Sequence, residues 1–284
     1  MHMEERMMTF ETMITLNNGV QIPQLGYGTA LISENQKETV QTVLNALELG
    51  YRHLDTASVY YNETAVGEAI RQSGIPRDKL FVTTKLWTTD MRIGREYDAF
   101  QESLSRLGLD YVDLYLIHWP VRGRYQQSWE VLERIREEGL ARSIGVSNFN
   151  PHHIDDIISM GGTVPAINQY QMHPQMSCPK LRAYCQSRGT VLEACQPLGQ
   201  GLYVYDPILS RIGRKYGKSA VQVVLRWELQ HGVVTIPKGT QVGHIRENCN
   251  LFDFELNAED MSEIDSMNIN RSITPDADPE TFTF

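Results

Sequence analysis

Short apolar runs alternate with amphipathic stretches along most of the chain. The runs, many of them rich in β-branched residues, are Leu25–Thr29, His53–Ala57, Leu80–Leu86, Val112–His118, Arg142–Asn148, Ala166–Tyr170, Thr190–Ala194 and Val233–Pro237. Runs of this length bounded by polar loops read as buried strands. Between them, apolar positions recur with helical spacing. Val40, Val43, Leu44 and Leu47 fall at i, i+3, i+4 and i+7 before Gly50, and Ala65, Ala69 and Ile70 lie on a second helix that Gly74 ends. Further helices are expected around Phe100–Leu107, Trp129–Arg136, Ile154–Met160, Leu181–Arg188, Ala220–Leu229 and Ile245–Leu251, with a short one over Ala258–Met267.

Strands alternating with helices require parallel crossovers, hence a layered α/β fold. Eight such units with no second set of elements favour one closed (β/α)8 TIM barrel, a single domain over residues 1–284, rather than an open sheet. Ahead of the first unit, Ile14-Thr15-Leu16 and Val20-Gln21-Ile22 flank Asn17-Asn18-Gly19. Asn-Gly supplies the positive φ values of a tight turn, so a small β-hairpin is expected as a plug at the barrel's bottom. Residues 1–11 read as a disordered end or as residues foreign to the natural chain; Met1–Met8 holds Glu4 and Glu5 and no apolar stretch, unlike a secretory signal. The segment after Ala258–Met267 carries Pro and Asp, reads as irregular, and is placed to fold over the barrel mouth.

Composition narrows the classes. Hydrophobic residues at 41% and charged residues at 21% can build a large core, which argues against a disordered chain. A net charge of -9 argues against nucleic acid as the main ligand, while leaving room for a local basic pocket. No apolar run approaches the roughly 20 residues of a membrane span. Cys178, Cys185, Cys195 and Cys249 form no CxxC pair and no zinc spacing, so reduced thiols in a cytoplasmic protein, and no metal, are expected.

Barrel enzymes carry their chemistry at the C-terminal ends of the strands, and here polar groups stand at nearly every such end. Asp55 closes the second strand, Lys85 the third and His118 the fourth; Ser147 and Asn148 close the fifth, Gln169 the sixth, and Lys238 follows the eighth. A charge inside an apolar strand costs several kcal/mol unless it is paired. One such residue reads as a structural ion pair; three titratable groups converging on one face point to a site. Tyr60 follows Asp55 on the loop leaving the second strand. A phenol's pKa of about 10 is high for proton transfer at neutral pH, and a cation such as Lys85 lowers it. Asp55 would hold Lys85, and His118 would hydrogen-bond a substrate carbonyl oxygen. This is a proton donor beside an oxyanion site, and it needs a separate source of hydride. No HExxH, paired-carboxylate metal box or GxSxG elbow is present.

At these residues the sequence resembles the aldo-keto reductase family. The resemblance is carried by Gly50-Tyr51-Arg52-His53-Leu54-Asp55-Thr56-Ala57 with Tyr60 and Asn62-Glu63, by Thr84-Lys85-Leu86-Trp87 and by Leu114-Tyr115-Leu116-Ile117-His118-Trp119-Pro120. Gly145-Val146-Ser147-Asn148-Phe149, Ile236-Pro237-Lys238 and Glu247-Asn248 continue it in uninterrupted order. The resemblance implies an NADPH-dependent reduction of aldehydes or ketones to alcohols. Its catalytic set would be Asp55, Tyr60, Lys85 and His118. Gly28 and Thr29 would approach the cofactor, Ser147, Asn148 and Gln169 would bind the nicotinamide amide, and Cys195, Pro197 and Leu198 would flank it. Lys238, Gly239, Thr240 and His244 would meet the 2′-phosphate, and Glu247 and Asn248 the adenine. Val59, Trp87, His118 and Trp119 would line the substrate pocket of a monomer. The likeness is to small bacterial and protist members, some of which reduce sugar-derived diketones or prostaglandin-like ketones.

Three departures stand out. Cys195, followed by Gln196, occupies the place where the family has an aromatic residue stacked on the nicotinamide. Ala30 replaces an aromatic residue and opens one pocket wall. Gly239 and His244 stand where Ser and Arg are usual, and an imidazole, unlike a guanidinium, is mostly uncharged above pH ~7. A modest NADPH preference with usable NADH activity is therefore expected. Two other readings are a cofactor-sensing barrel with little turnover and a redox role for Cys195.

Overall fold

The computed structural model describes residues 9–282. Its strands are β1 (Met13–Thr15), β2 (Gln21–Pro23), β3 (Tyr27–Gly28), β4 (His53–Asp55), β5 (Phe81–Leu86), β6 (Val112–Ile117), β7 (Ala141–Ser147), β8 (Ile167–Gln171), β9 (Val191–Cys195) and β10 (Val234–Thr235). Strands β3 to β10 lie side by side in chain order, all parallel. A parallel bridge between Leu25 and Thr235 joins the two edges. Around it the Gly26 N–H donates to the Thr235 carbonyl (2.8 Å) and the Thr235 N–H to the Gln24 carbonyl (2.9 Å). The sheet is thus closed into a barrel, as the eight apolar runs predict. The first and last strands are shorter than their runs because this seam is formed by single bridges rather than a long ladder.

Strands β1 and β2 form the expected hairpin, with Ile14 opposite Ile22. Its turn differs in detail. The Leu16 N–H donates to the Val20 carbonyl at 2.8 Å, so three residues form the loop, and of Asn18-Gly19 only Gly19 takes a positive φ, 85°. The asparagines serve another purpose. Asn17 Nδ2 donates to the Val164 carbonyl (3.1 Å) and Asn18 Nδ2 to the Arg142 carbonyl (3.0 Å), pinning the hairpin beneath the barrel. Leu16 and Ile22 then pack with Phe81, Leu114, Leu116, Ile167 and Val234 inside the barrel's lower half.

The helices form an outer layer. Those predicted by periodicity are present, among them Gln36–Glu48, Glu63–Ser73, Glu96–Leu107 and Tyr125–Glu137. Along β6, Leu114 and Leu116 point to the barrel interior while Tyr115 and Ile117 pack under the helices, the period-two alternation of a strand. Two helices escape the sequence reading, Thr88–Ile93 and Pro207–Tyr216. The second carries an end signal that periodicity alone passes over. The Asp206 side chain accepts from the Ile208 and Leu209 N–H groups, Pro207 fills the first helical position, and Gly217 ends the helix at φ 66°. The Ala258–Asp265 helix is followed by an irregular tail that crosses the mouth. Of the segment expected to be disordered, residues 1–8 lie outside the described residues, whereas Phe10 packs edge-on against Tyr51 and Phe252. No helix among the described residues is long and apolar enough to cross a membrane.

Candidate active site

Parallel pairing sets the layers of the barrel interior. Asp55 lies beside Thr83, Lys85 beside Leu116, and Ser147 beside Gln169, which in turn lies beside Glu193. Polar side chains from β4, β5, β7, β8 and β9 therefore meet at the upper end. Lys85 is fully buried, and its Nζ donates to Asp55 Oδ1 (2.6 Å), to the Thr56 carbonyl (2.9 Å) and to the Tyr60 hydroxyl (3.5 Å). Tyr60 ends a one-turn helix, Ser58–Tyr60, whose Ser58 hydroxyl donates to the Lys85 carbonyl at 3.1 Å. The loop and the lysine-bearing strand are thereby held as one piece.

Burial works against the charge on Lys85, but the Asp55 and Tyr60 oxygens outweigh it and hold the ammonium above its ordinary range. For Tyr60 the balance differs from the sequence-based expectation. Burial has the larger effect and Lys85 opposes it, so the phenol is pushed up to about 12. The hydroxyl keeps its proton at neutral pH, as a donor must, and the cation limits how far burial can raise it. His118 is driven well below the ordinary imidazole range by burial and by Lys85. It is thus neutral, edge-on to Tyr60 (5.7 Å between ring centroids) and to Trp87 (5.1 Å). Its Nδ1 is buried without a hydrogen-bond partner among the described residues.

Asp55, Tyr60 and His118 form the floor of a cavity of about 1010 Å³, with Lys85 buried behind them. Val59, Trp87, His118 and Trp119 all line it, as does Ala30 on the opened wall. The tail supplies a roof that sequence reading placed only in outline. Phe282 stacks on Trp119 at 3.9 Å with planes 6° apart and meets Trp87 at 6.0 Å. Glu280 accepts from Asn150 Nδ2 at 2.5 Å and lies near His152 and His153. These three, His152, His153 and Glu280, are the one group with metal-ligand proximity among the described residues. His153 Nδ1 accepts the Asn150 N–H, so in the neutral ring Nε2 holds the proton and faces Glu280 as a donor, not a metal as a ligand.

The expected cofactor residues divide into two groups. Gly28, Ser147, Asn148 and Gln169 line the cavity, followed by Cys195, Pro197 and Leu198. Gly28 sits where a Cβ would come within 2.7 Å of the Ile236 carbonyl oxygen, so the barrel seam itself requires glycine there. Asn148 takes a left-handed φ of 63°, which turns Nδ2 back onto the His118 carbonyl (2.9 Å). Thr29 is buried, and its hydroxyl donates to the Asp55 carbonyl at 2.8 Å, bracing the strand end. Burial pushes the Cys195 thiol up to about 12, which leaves it an inert thiol rather than a redox centre.

The second group runs along the rim. Lys238 lines the cavity edge; Gly239, Thr240, His244, Glu247 and Asn248 lie on or just before the helix Val242–Cys249. Asn248 Nδ2 and the Tyr27 hydroxyl hold this segment by the Lys238 and Gly239 carbonyls, at 3.3 and 2.6 Å. A Cβ at Gly239 would lie 3.2 Å from Ile245 N, so the usual serine would crowd this packing. His244 is exposed. Sequence reading also missed Glu193, Gln171 and His53. All three are polar residues inside or at the end of apolar strands, the same signal that marked Asp55 and Lys85.

The barrel and its strand-end site define an oxidoreductase of the (β/α)8 class. Residues 24–269 match the Aldo/keto reductase family, and the chain belongs to that family. It is 44% identical over 269 residues to glyoxal reductase of Bacillus subtilis (strain 168), covering 95% of this chain and 97% of that one. It is 43% identical over 268 residues to the 9,11-endoperoxide prostaglandin H2 reductase of Trypanosoma cruzi, covering 93% and 94%. Among solved structures, a Bombyx mori aldo-keto reductase in complex with NADP matches with a TM-score of 0.89 and 38% identity, covering 94% and 95%.

Proposed function

We propose that the protein reduces aldehydes or ketones to alcohols with NADPH, Tyr60 being the proton donor. The observation that carries this reading is the buried Asp55–Lys85–Tyr60 chain ending beneath a neutral His118 in a cavity of about 1010 Å³. When bound, the reduced nicotinamide supplies the hydride. Amide-bearing side chains at Asn148 and Gln169 near the floor, and Lys238 at the far rim, fit a long ligand with a carboxamide at one end and phosphate at the other. His118 offers a ring N–H to the carbonyl oxygen and fixes its position. Tyr60 passes its proton to that oxygen as negative charge develops, and the Lys85 ammonium steadies the phenolate left behind. Asp55 keeps Lys85 charged and aimed.

The aromatic walls, Trp87 and Trp119 with Phe282, suit small carbonyl substrates with a flat apolar part. The relative named glyoxal reductase supports α-dicarbonyls as the first compounds to try. NADH is proposed as a weaker second cofactor. We also place the protein in the cytoplasm as a monomer without nucleic-acid or membrane partners, in keeping with the net charge of -9; light scattering of the purified chain tests the monomer. The deciding experiment follows consumption of NADPH and of NADH with a panel of aldehydes, α-dicarbonyls and keto-sugars. Turnover by wild type that disappears in Tyr60→Phe supports the reading; no turnover on any of them overturns it. The cofactor-sensing alternative has no observation in its favour.

A further inference from the structure

Glu193 is fully buried on β9, joined to the Lys85–Asp55 pair through Gln169, and the reaction above gives it no part. Its Oε2 lies 2.8 Å from Gln169 Nε2, and the same nitrogen lies 2.9 Å from Asp55 Oδ2. An amide nitrogen has two hydrogens, so both are spent on these two carboxyl groups. Chemistry dictates this orientation. Asp55 is ion-paired with Lys85 and can only accept; turned the other way, the amide oxygen would face its lone pairs. Gln169 also lines the cavity, and the atom left for a ligand there is its carbonyl oxygen.

We infer that Glu193 is a positioning residue: together with Asp55 it clamps the Gln169 amide so that an acceptor, and not a donor, faces the cofactor's carboxamide. The inference rests on the proposed nicotinamide function. It means that the site selects a carboxamide by its amino group, which fixes which way round the carboxamide sits and so steadies the ring attached to it. The surroundings of Glu193 explain how a second carboxyl group is tolerated beside Asp55. From β4, His53 Nε2 lies 3.6 Å from Oε1; Asp55 and, from β5, Lys85 act on it at longer range; Gln169 faces it from β8. Burial, then Asp55, push Glu193 up to about 8, and burial, then Lys85, push His53 down to about 3. Both are thereby biased towards their uncharged forms, so Glu193 accepts from Gln169 while burial and Asp55 oppose a second negative charge beside Asp55.

The test compares NADPH with its acetylpyridine analogue, in which a methyl group replaces the carboxamide amino group and the carbonyl is kept. Dissociation constants are measured calorimetrically for wild type, Glu193→Gln and Glu193→Leu. Wild type should bind the analogue about tenfold more weakly than NADPH, the loss of one hydrogen bond. Glu193→Gln keeps a carbonyl acceptor for Gln169 and should keep that ratio. Glu193→Leu frees one Gln169 hydrogen and should shrink the ratio roughly fivefold. A wild-type ratio near one overturns the clamp whether or not the leucine variant folds. So does a folded Glu193→Leu that retains the full ratio. Failure of wild type to bind NADPH at all would instead overturn the proposed function.

Discussion

The floor of the cavity and its rim solve the problem of holding charge in opposite ways. On the floor, Lys85 and Asp55 are shut away from water, and each oxygen or ammonium hydrogen has a partner fixed by strand register. On the rim, Lys238 and His244 are exposed, and the segment is held by its backbone carbonyls rather than its side chains. A buried charge left without its partner costs several kcal/mol, whereas an exposed one is hydrated and screened. The floor therefore cannot change one residue at a time, and the rim can. Among the charge-handling positions, the floor set is complete, while Gly239 and His244, which depart from the family's usual residues, are on the rim.

If that contrast holds, substitutions on the floor should be costly and those on the rim should be graded. The largest effect is expected for Lys85→Met, which removes the cation between Asp55 and Tyr60; turnover should fall about 1000-fold in a chain that still gives native circular dichroism. Asp55→Asn should be milder, about tenfold, because the Thr56 carbonyl and the Tyr60 hydroxyl still hold Lys85 in place. An aspartate variant worse than the lysine variant would reverse the roles given to the two. Tyr60→Phe should cut turnover at least ~100-fold while cofactor affinity stays near wild type, since the ring remains. With the phenol held near 12, raising pH should not remove the donor until well above the ordinary tyrosine range, so the rate of reduction should show no loss attributable to Tyr60 below it.

On the rim, His244→Arg should tighten NADPH about tenfold and leave NADH little changed, because a guanidinium gives a 2′-phosphate a charged, forked donor. Equal tightening of both cofactors would detach His244 from the phosphate. Cys195 lies between the two regions. Cys195→Tyr should tighten either cofactor by a few-fold, the worth of an aromatic face of about 0.5–1.5 kcal/mol, unless Gln196 already covers the ring.

A further effect is on stability. Glu193 is raised from 4.5 to about 8 in the fold, so the folded chain holds a proton that the unfolded chain releases. Its contribution is complete at low pH and is lost as pH rises through about 8. Thermal melts of wild type and Glu193→Gln should therefore diverge between those two values, wild type losing more with rising pH. Parallel melting curves would show that Glu193 is already ionised.

Most of the fold was legible because burial on both faces writes each barrel strand as a mainly apolar run, and glycines such as Gly74 and Gly108 mark helix ends. Pro207–Tyr216 was not, since its signal lies in the Asp206 cap rather than in periodicity. Asp55, Lys85 and His118 were legible as polar residues in apolar runs. Glu193 and His53 carried the same mark and were passed over, because they sit before the strand ends where chemistry was sought. The sign of the Tyr60 balance was out of reach. It depends on how deeply the ring is enclosed, which only the packed structure settles.

The bridge between Leu25 and Thr235 also sets a clock on biosynthesis. A ribosome adding roughly 5–20 residues each second needs on the order of 10–40 s to pass from one partner to the other. Throughout that time the first strand of the nascent sheet has an open edge, the kind of backbone surface that recruits other chains. Expression of this protein should accordingly be sensitive to elongation speed and growth temperature, and premature stops before residue 235 should go to aggregates, even where every floor residue has already been made.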